Sequence, residues 1–219
     1  MTRYRTILLA AAAALGAPQA NACTADPAGD FIPTYNGARR PSVDLRCIDA
    51  VLSGDHFTLT VTADGPVVDD GRNYYVWGIN RGAGIRRLNF AGAPPALPDE
   101  FNPPFDAIAL TYPDGTGGYS LLPPPSFRPL PGPVTTSGNM LSFRLPLALL
   151  PSTGFGFRDY QFTVWSDYQP TGELGDPSNA FKADFSPTIT PRVPAPAADA
   201  LLLGGAAGLA ALRRRRFAA

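Results

Sequence analysis

Near the amino end, Asp26-Pro27-Ala28-Gly29-Asp30 places two carboxylates on a Pro/Gly loop, and Asp44 follows just before an apolar run. Ca²⁺ is a hard cation that accepts about six to eight oxygen ligands in loose geometry, so Asp26, Asp30 and Asp44 are its candidate ligands. The same spacing fits an Asp-rich turn in which the carboxylates accept backbone N–H groups. The aromatics form a second set. Tyr75, Trp77 and Trp165 lie in strand-like runs, and exposed rings of this kind stack on the C–H faces of sugars; strand tryptophans also fill cores. The lone histidine, His56, follows Asp55 and has no Gly-x-Ser-x-Gly context, so it reads as strand surface rather than as part of a triad. Cys and His show no zinc-type spacing, and no cofactor other than calcium is suggested.

Two cysteines, Cys23 and Cys47, are expected to pair once the chain is outside the cytoplasm. Export is read from residues 1–22. Arg3 and Arg5 precede the apolar run Ile7–Leu15, and Ala20-Asn21-Ala22 supplies the small residues of a signal-peptidase site. Cleavage there leaves Cys23 first, but Ala20 and Asn21 depart from the residues that usually precede a lipidated cysteine. Passage through the Sec translocon follows.

The elements that would hold these residues are strands. Residues 43–52 alternate loosely and end at Ser53-Gly54-Asp55, a turn. Phe57, Leu59 and Val61 then alternate strictly with Thr58, Thr60 and Thr62, which predicts a half-buried strand and a hairpin. Tyr74–Ile79, Ala107–Tyr112, Gly118–Leu122, Val134–Thr136, Met140–Leu145 and Tyr160–Tyr168 continue the series, with turns at Pro113-Asp114-Gly115-Thr116 and Ser137-Gly138-Asn139. Leu147–Leu150 is expected to form one helical turn. The proline-rich stretches 94–104 and 123–133 are expected as long loops over the sandwich edge. The 25 Pro and 22 Gly are interleaved with aromatic and β-branched residues, as in a turn-rich β protein. The fold class is therefore all-β, an antiparallel, jelly-roll-like sandwich over residues 23–185. A net charge of zero with 16% charged residues gives no basic face for nucleic acid.

Residues 186–196 read as a linker, and 197–219 as a membrane segment. Ala197–Leu212 is apolar apart from Asp199, a little short of the ~20 residues of a full span. Arg213, Arg214, Arg215 and Arg216 should stay cytoplasmic, which leaves the domain on the periplasmic side of the inner membrane in the precursor.

The sequence Val193-Pro194-Ala195-Pro196, a short apolar helix and the arginine cluster together resemble the PEP-CTERM sorting signal in its Val-Pro-x-Pro-Ala form; Ala195 stands where the commonest form has Glu. The resemblance covers residues 193–219. It implies processing by an exosortase-like enzyme near the motif and delivery to the surface or beyond, and says nothing of activity. Gly204-Gly205 is similar to the related GlyGly-CTERM signal. The start of the body, Asp-Pro-x-Gly-Asp followed by an Asp-Leu strand and a Gly-Asp hairpin, loosely resembles DOMON-like domains and family-9-type carbohydrate-binding modules, in which early acids lie near Ca²⁺. Three functions are in competition. The first is a non-enzymatic surface or matrix protein linked to surface polysaccharide or biofilm, the second a glycan-binding module, and the third a small hydrolase.

Overall fold

The computed structural model describes residues 23–88, 95–123, 125–169 and 178–194. Residues 1–22, expected as a signal peptide, and 197–219, expected as a membrane segment, lie outside the described residues. Among the described residues, no helix is long and apolar enough to cross a membrane. Cys23–Pro194 forms one compact unit.

The strict alternation at 57–62 becomes strand β3 (His56–Ala63), with Phe57, Leu59 and Val61 buried and the threonines half-exposed. Strand β2 (Leu45–Ser53) pairs with it through a turn in which Gly54 has φ +59, a conformation that favours glycine. On its other side β3 pairs with β11 (Met140–Pro146), itself a hairpin partner of β10 (Thr135–Ser137). A short β1 (Thr24–Ala25) pairs with β2 at Cys47 and Ile48, giving an antiparallel sheet of order β1-β2-β3-β11-β10.

The second sheet is built on β4 (Asn73–Asn80). On one side lie β12 (Gln161–Tyr168) and β13 (Lys182–Phe185), on the other β7 (Ala107–Thr111), β8 (Gly117–Leu121) and β9 (Arg128–Pro129). A separate two-stranded pair joins β5 (Ile85–Arg86) to β6 (Pro104–Phe105). The expected helical turn is a 3₁₀ turn at Leu147–Leu149.

The two sheets face each other over one apolar core. Phe57, Leu59, Val61, Leu141, Phe143 and Leu145 meet Tyr75, Trp77, Ile79, Ala109, Phe162 and Val164. This is an all-β sandwich held by the alternation of inward residues on both sheets. β4 is buried on both faces. Its outer face carries a second cluster of Tyr74, Val76, Trp165 and Phe185, covered by Ile32, Leu97 and Phe105. The first proline-rich stretch, where described, therefore lies across a sheet face rather than over the edge, carried there by Leu97 within it and Phe105 just after it. Gly78 makes room: a Cβ at this position would come within 3.0 Å of the Trp165 ring.

The end of the domain also differs from expectation. Ile189 exchanges backbone hydrogen bonds with Phe162, Arg192 does so with β2 at Ala50 and Leu52, and its guanidinium grips Asp49 at 2.9 and 2.7 Å. Residues 186–192 are thus packed against both sheets rather than forming the start of a linker.

Candidate metal centre

The loop after β1 turns at Gly29, whose φ of +75 an L-residue adopts only with strain. Asp44 fixes that turn, because both its oxygens accept the Gly29 N–H, at 3.1 and 2.9 Å. The turn brings Asp26 and Asp30 back toward the edge of the sandwich. There β13, the edge strand of the second sheet, presents Asp184. Its Oδ2 accepts the Leu45 N–H at 2.7 Å, a bond that joins the two sheets, and its Oδ1 accepts the Phe185 N–H at 2.7 Å. One carboxylate oxygen from each of Asp26, Asp30 and Asp184 lies within 4.8 Å of the other two.

Three of these four acids are buried and one is at the rim: Asp26, Asp44 and Asp184 are 5%, 5% and 1% exposed, and Asp30 is exposed. Burial and mutual repulsion act together. Burial first, then the Asp184, Asp30 and Asp44 charges, push Asp26 up to about 8. Burial pushes Asp184 up to about 7, with Asp30 and Asp44 adding to it and the Leu45 N–H opposing. Asp44 is raised by burial, against the Gly29 N–H. The cation that acts on Asp26 and Asp44, Arg46, is itself engaged with Asp64 at 3.2 Å on the surface. Asp26 Oδ2 is buried and has no hydrogen-bond partner among the described residues. Such a cluster can hold protons or a cation; charged and unaccompanied, it works against the fold.

Of the three expected ligands, the structure keeps Asp26 and Asp30 together, turns both oxygens of Asp44 to bracing the loop, and adds Asp184. Sequence reasoning missed Asp184. Its local signal is a lone acid inside the short strand Lys182–Phe185, all four residues of which are buried.

Cys23 and Cys47 form a disulfide with Cα atoms 5.7 Å apart, which ties β1 to β2 beside this cluster. The aromatic platform is not formed. Tyr75 and Trp77 are fully buried in the inter-sheet core, where the Tyr75 hydroxyl donates to Ser42 O and Trp77 meets Phe143 edge-on at 5.7 Å. Trp165 is 4% exposed, packed between Phe105 and Phe185 at 5.7 and 5.5 Å. None of the three offers a ring to solvent: Tyr75 and Trp77 face the other sheet, and Trp165 lies on the outer face, which is covered. His56 sits at the start of β3 with its ring 3.1 Å from Asp55, as expected of a surface residue. Of the sorting motif, Val193 and Pro194 are exposed; Ala195, Pro196 and Arg213–Arg216 lie outside the described residues.

A second buried polar assembly is structural. Arg81 donates to Asp106 Oδ1 from its Nε at 3.1 Å and its backbone N at 3.0 Å, and to Pro151 O at 2.7 Å, while Thr153 donates to Asp106 Oδ2 at 2.5 Å. Both charged side chains are buried, and together they pin three loops. Comparison of the chain with protein-family models, curated proteins and solved structures finds no match.

Proposed function

We propose that this chain is an exported, non-enzymatic β-sandwich that serves at the cell surface or in the extracellular matrix, delivered there by its C-terminal sorting segment. The observation that carries the reading is the disulfide. It joins Cys23, the first residue after the expected cleavage point, to Cys47 in the sandwich, and such bonds persist in oxidising compartments. The packed segment 186–192 adds support: Val193 and Pro194, the first residues of the expected sorting motif, follow directly on Arg192 and are exposed. The test is fractionation of cells expressing the full chain. Mature protein beginning at Cys23 and released from the inner membrane is expected, and replacing Pro194 and Pro196 with Ala should leave the precursor anchored. Release of that variant at the normal rate would overturn the sorting reading.

A second reading, a glycan-binding module, is favoured by one feature. Phe127, 56% exposed, lines a groove of about 430 Å³ together with Leu110, Tyr112 and Gly118. An exposed ring lining a groove is where a pyranose face would stack. Binding to a polysaccharide array that disappears in Phe127→Ala would support it, and an unchanged profile would remove it.

A further inference from the structure

We propose that Asp26, Asp30 and Asp184, with Asp44 as the brace of their loop, form a Ca²⁺ site that fastens the N-terminal segment of the domain to its last strand. The inference rests on the geometry of the cluster and stands whether or not the chain is sorted as proposed above.

Three observations carry it. The first is distance. Oxygens facing each other across a calcium ion at about 2.4 Å are about 4.8 Å apart, and one oxygen from each of the three carboxylates lies within 4.8 Å of the other two. The second is the orphan oxygen. Asp26 Oδ2 is buried without a partner in a residue only 5% exposed, although buried polar atoms are almost always satisfied. An ion among the carboxylates would supply what that oxygen lacks. The third is the charge balance of the surroundings. The groups facing the cluster are Asp26 and Asp30 from the loop, Asp44 and Arg46 at the start of β2, Asp64 after β3 and Asp184 on β13; the one cation among them, Arg46, is taken by Asp64.

The architecture around the site suits an ion rather than a proton. Asp44 and Asp184 already accept backbone N–H groups. Their orientation is therefore fixed before any ligand arrives, and each oxygen keeps a lone pair for a metal. Asp30 at the exposed rim gives entry from solvent. Calcium is favoured over magnesium because three carboxylates on irregular backbone give a loose oxygen shell, whereas Mg²⁺ demands near-octahedral geometry and keeps its waters. The ion would join residues 26–30 to residue 184, the two ends of the domain, across the edge that the Leu45–Asp184 hydrogen bond already closes. Extracellular modules bind calcium at about 0.1–1 mM, so such a site fills outside the cytoplasm.

The experiment is a thermal melt of the full-length protein in mild detergent at pH 7.5, with 10 mM Ca²⁺, 10 mM Mg²⁺ or EGTA. For a site of that affinity, calcium should raise Tm by roughly 3–10 °C over EGTA, and magnesium by clearly less. Asp184→Asn, whose amide oxygen still accepts the Leu45 N–H, should fold and lose the calcium shift, as should Asp26→Asn. Asp69→Asn, at an exposed position away from the cluster, should keep it. If Asp184→Asn does not fold, Asp30→Asn at the rim gives the same reading through a reduced shift. Equal melting in calcium and EGTA, as expected of carboxylates that merely share protons, overturns the proposal. So does a calcium shift that survives Asp30→Asn and Asp26→Asn.

Discussion

Replacing Cys23 and Cys47 together with serine tests whether the N-terminal segment belongs to the cooperative unit. β1 is two residues long and holds to β2 through two residue pairs, so the disulfide is its main tether. The bridged cysteines are 24 residues apart in sequence. In the chain-entropy account, releasing a loop of that size restores entropy to the unfolded chain worth about 3.4 kcal/mol at 25 °C. For a domain of this length that is a fall in Tm of roughly 7–13 °C. The assay is urea unfolding of the double-serine variant and of the oxidised wild type, followed by Trp77 and Trp165 fluorescence. A midpoint shift at constant slope isolates the stability term. The loss should be larger in calcium than in EGTA, since freeing β1 loosens the loop that carries Asp26 and Asp30. An unchanged midpoint would show that the segment before β2 detaches without unfolding the sandwich, and would refute this reasoning along with the role given to the edge.

Other predictions concern the core and its buried charges. Trp77→Ala should cost about 3–5 kcal/mol in chemical denaturation, because Trp77 is fully buried between the sheets. A cost under about 1 kcal/mol would place that ring outside the core. Asp106→Ala leaves the Arg81 guanidinium buried without its partner and should cost about 3–5 kcal/mol by the same assay; a neutral result would mean that water reaches Arg81. Burial pushes Asp167 up to about 6, with Lys182 opposing. The folded state thus binds its proton more tightly than the unfolded chain does, and this contribution to stability is full below pH about 4 and lost as pH rises through 6. The difference in stability between wild type and Asp167→Asn should therefore change between pH 4 and 7 in the direction of relative loss for wild type. A difference independent of pH would remove the assignment.

The sandwich was legible where one face of a strand meets solvent. At β3 the alternation of Phe57, Leu59 and Val61 with threonines mirrors burial residue by residue. β4 was legible for another reason: all eight of its residues are buried, so alternation vanishes, but its aromatic and β-branched run still marks a strand. What covers the outer face of that strand could not be read. Leu97 and Phe105 sit among prolines, and their burial on Trp165 depends on a long-range fold-back without periodicity. The sugar platform assigned to Tyr75, Trp77 and Trp165 failed on both faces, because Tyr75 and Trp77 point into the inter-sheet core and Trp165 lies under that cover; strand phase says which residues share a face, not whether that face is open. The carboxylate cluster was half legible. Asp26, Asp30 and Asp44 share a loop and its brace, whereas Asp184 arrives from the far end of the chain on a four-residue strand. Pro187 and Pro191 gave residues 186–196 the look of a linker, but Ile189 and Arg192 between them make contacts that composition does not encode.

Calcium bound per chain is the quantity closest to the central claim. Equilibrium dialysis of the oxidised full-length protein against ⁴⁵Ca²⁺ between about 10 µM and 5 mM should give one saturable ion per chain in the wild type and none in Asp26→Asn. A wild-type protein that takes up no ion across that range, or one whose uptake is the same after Asp26→Asn, would contradict the account.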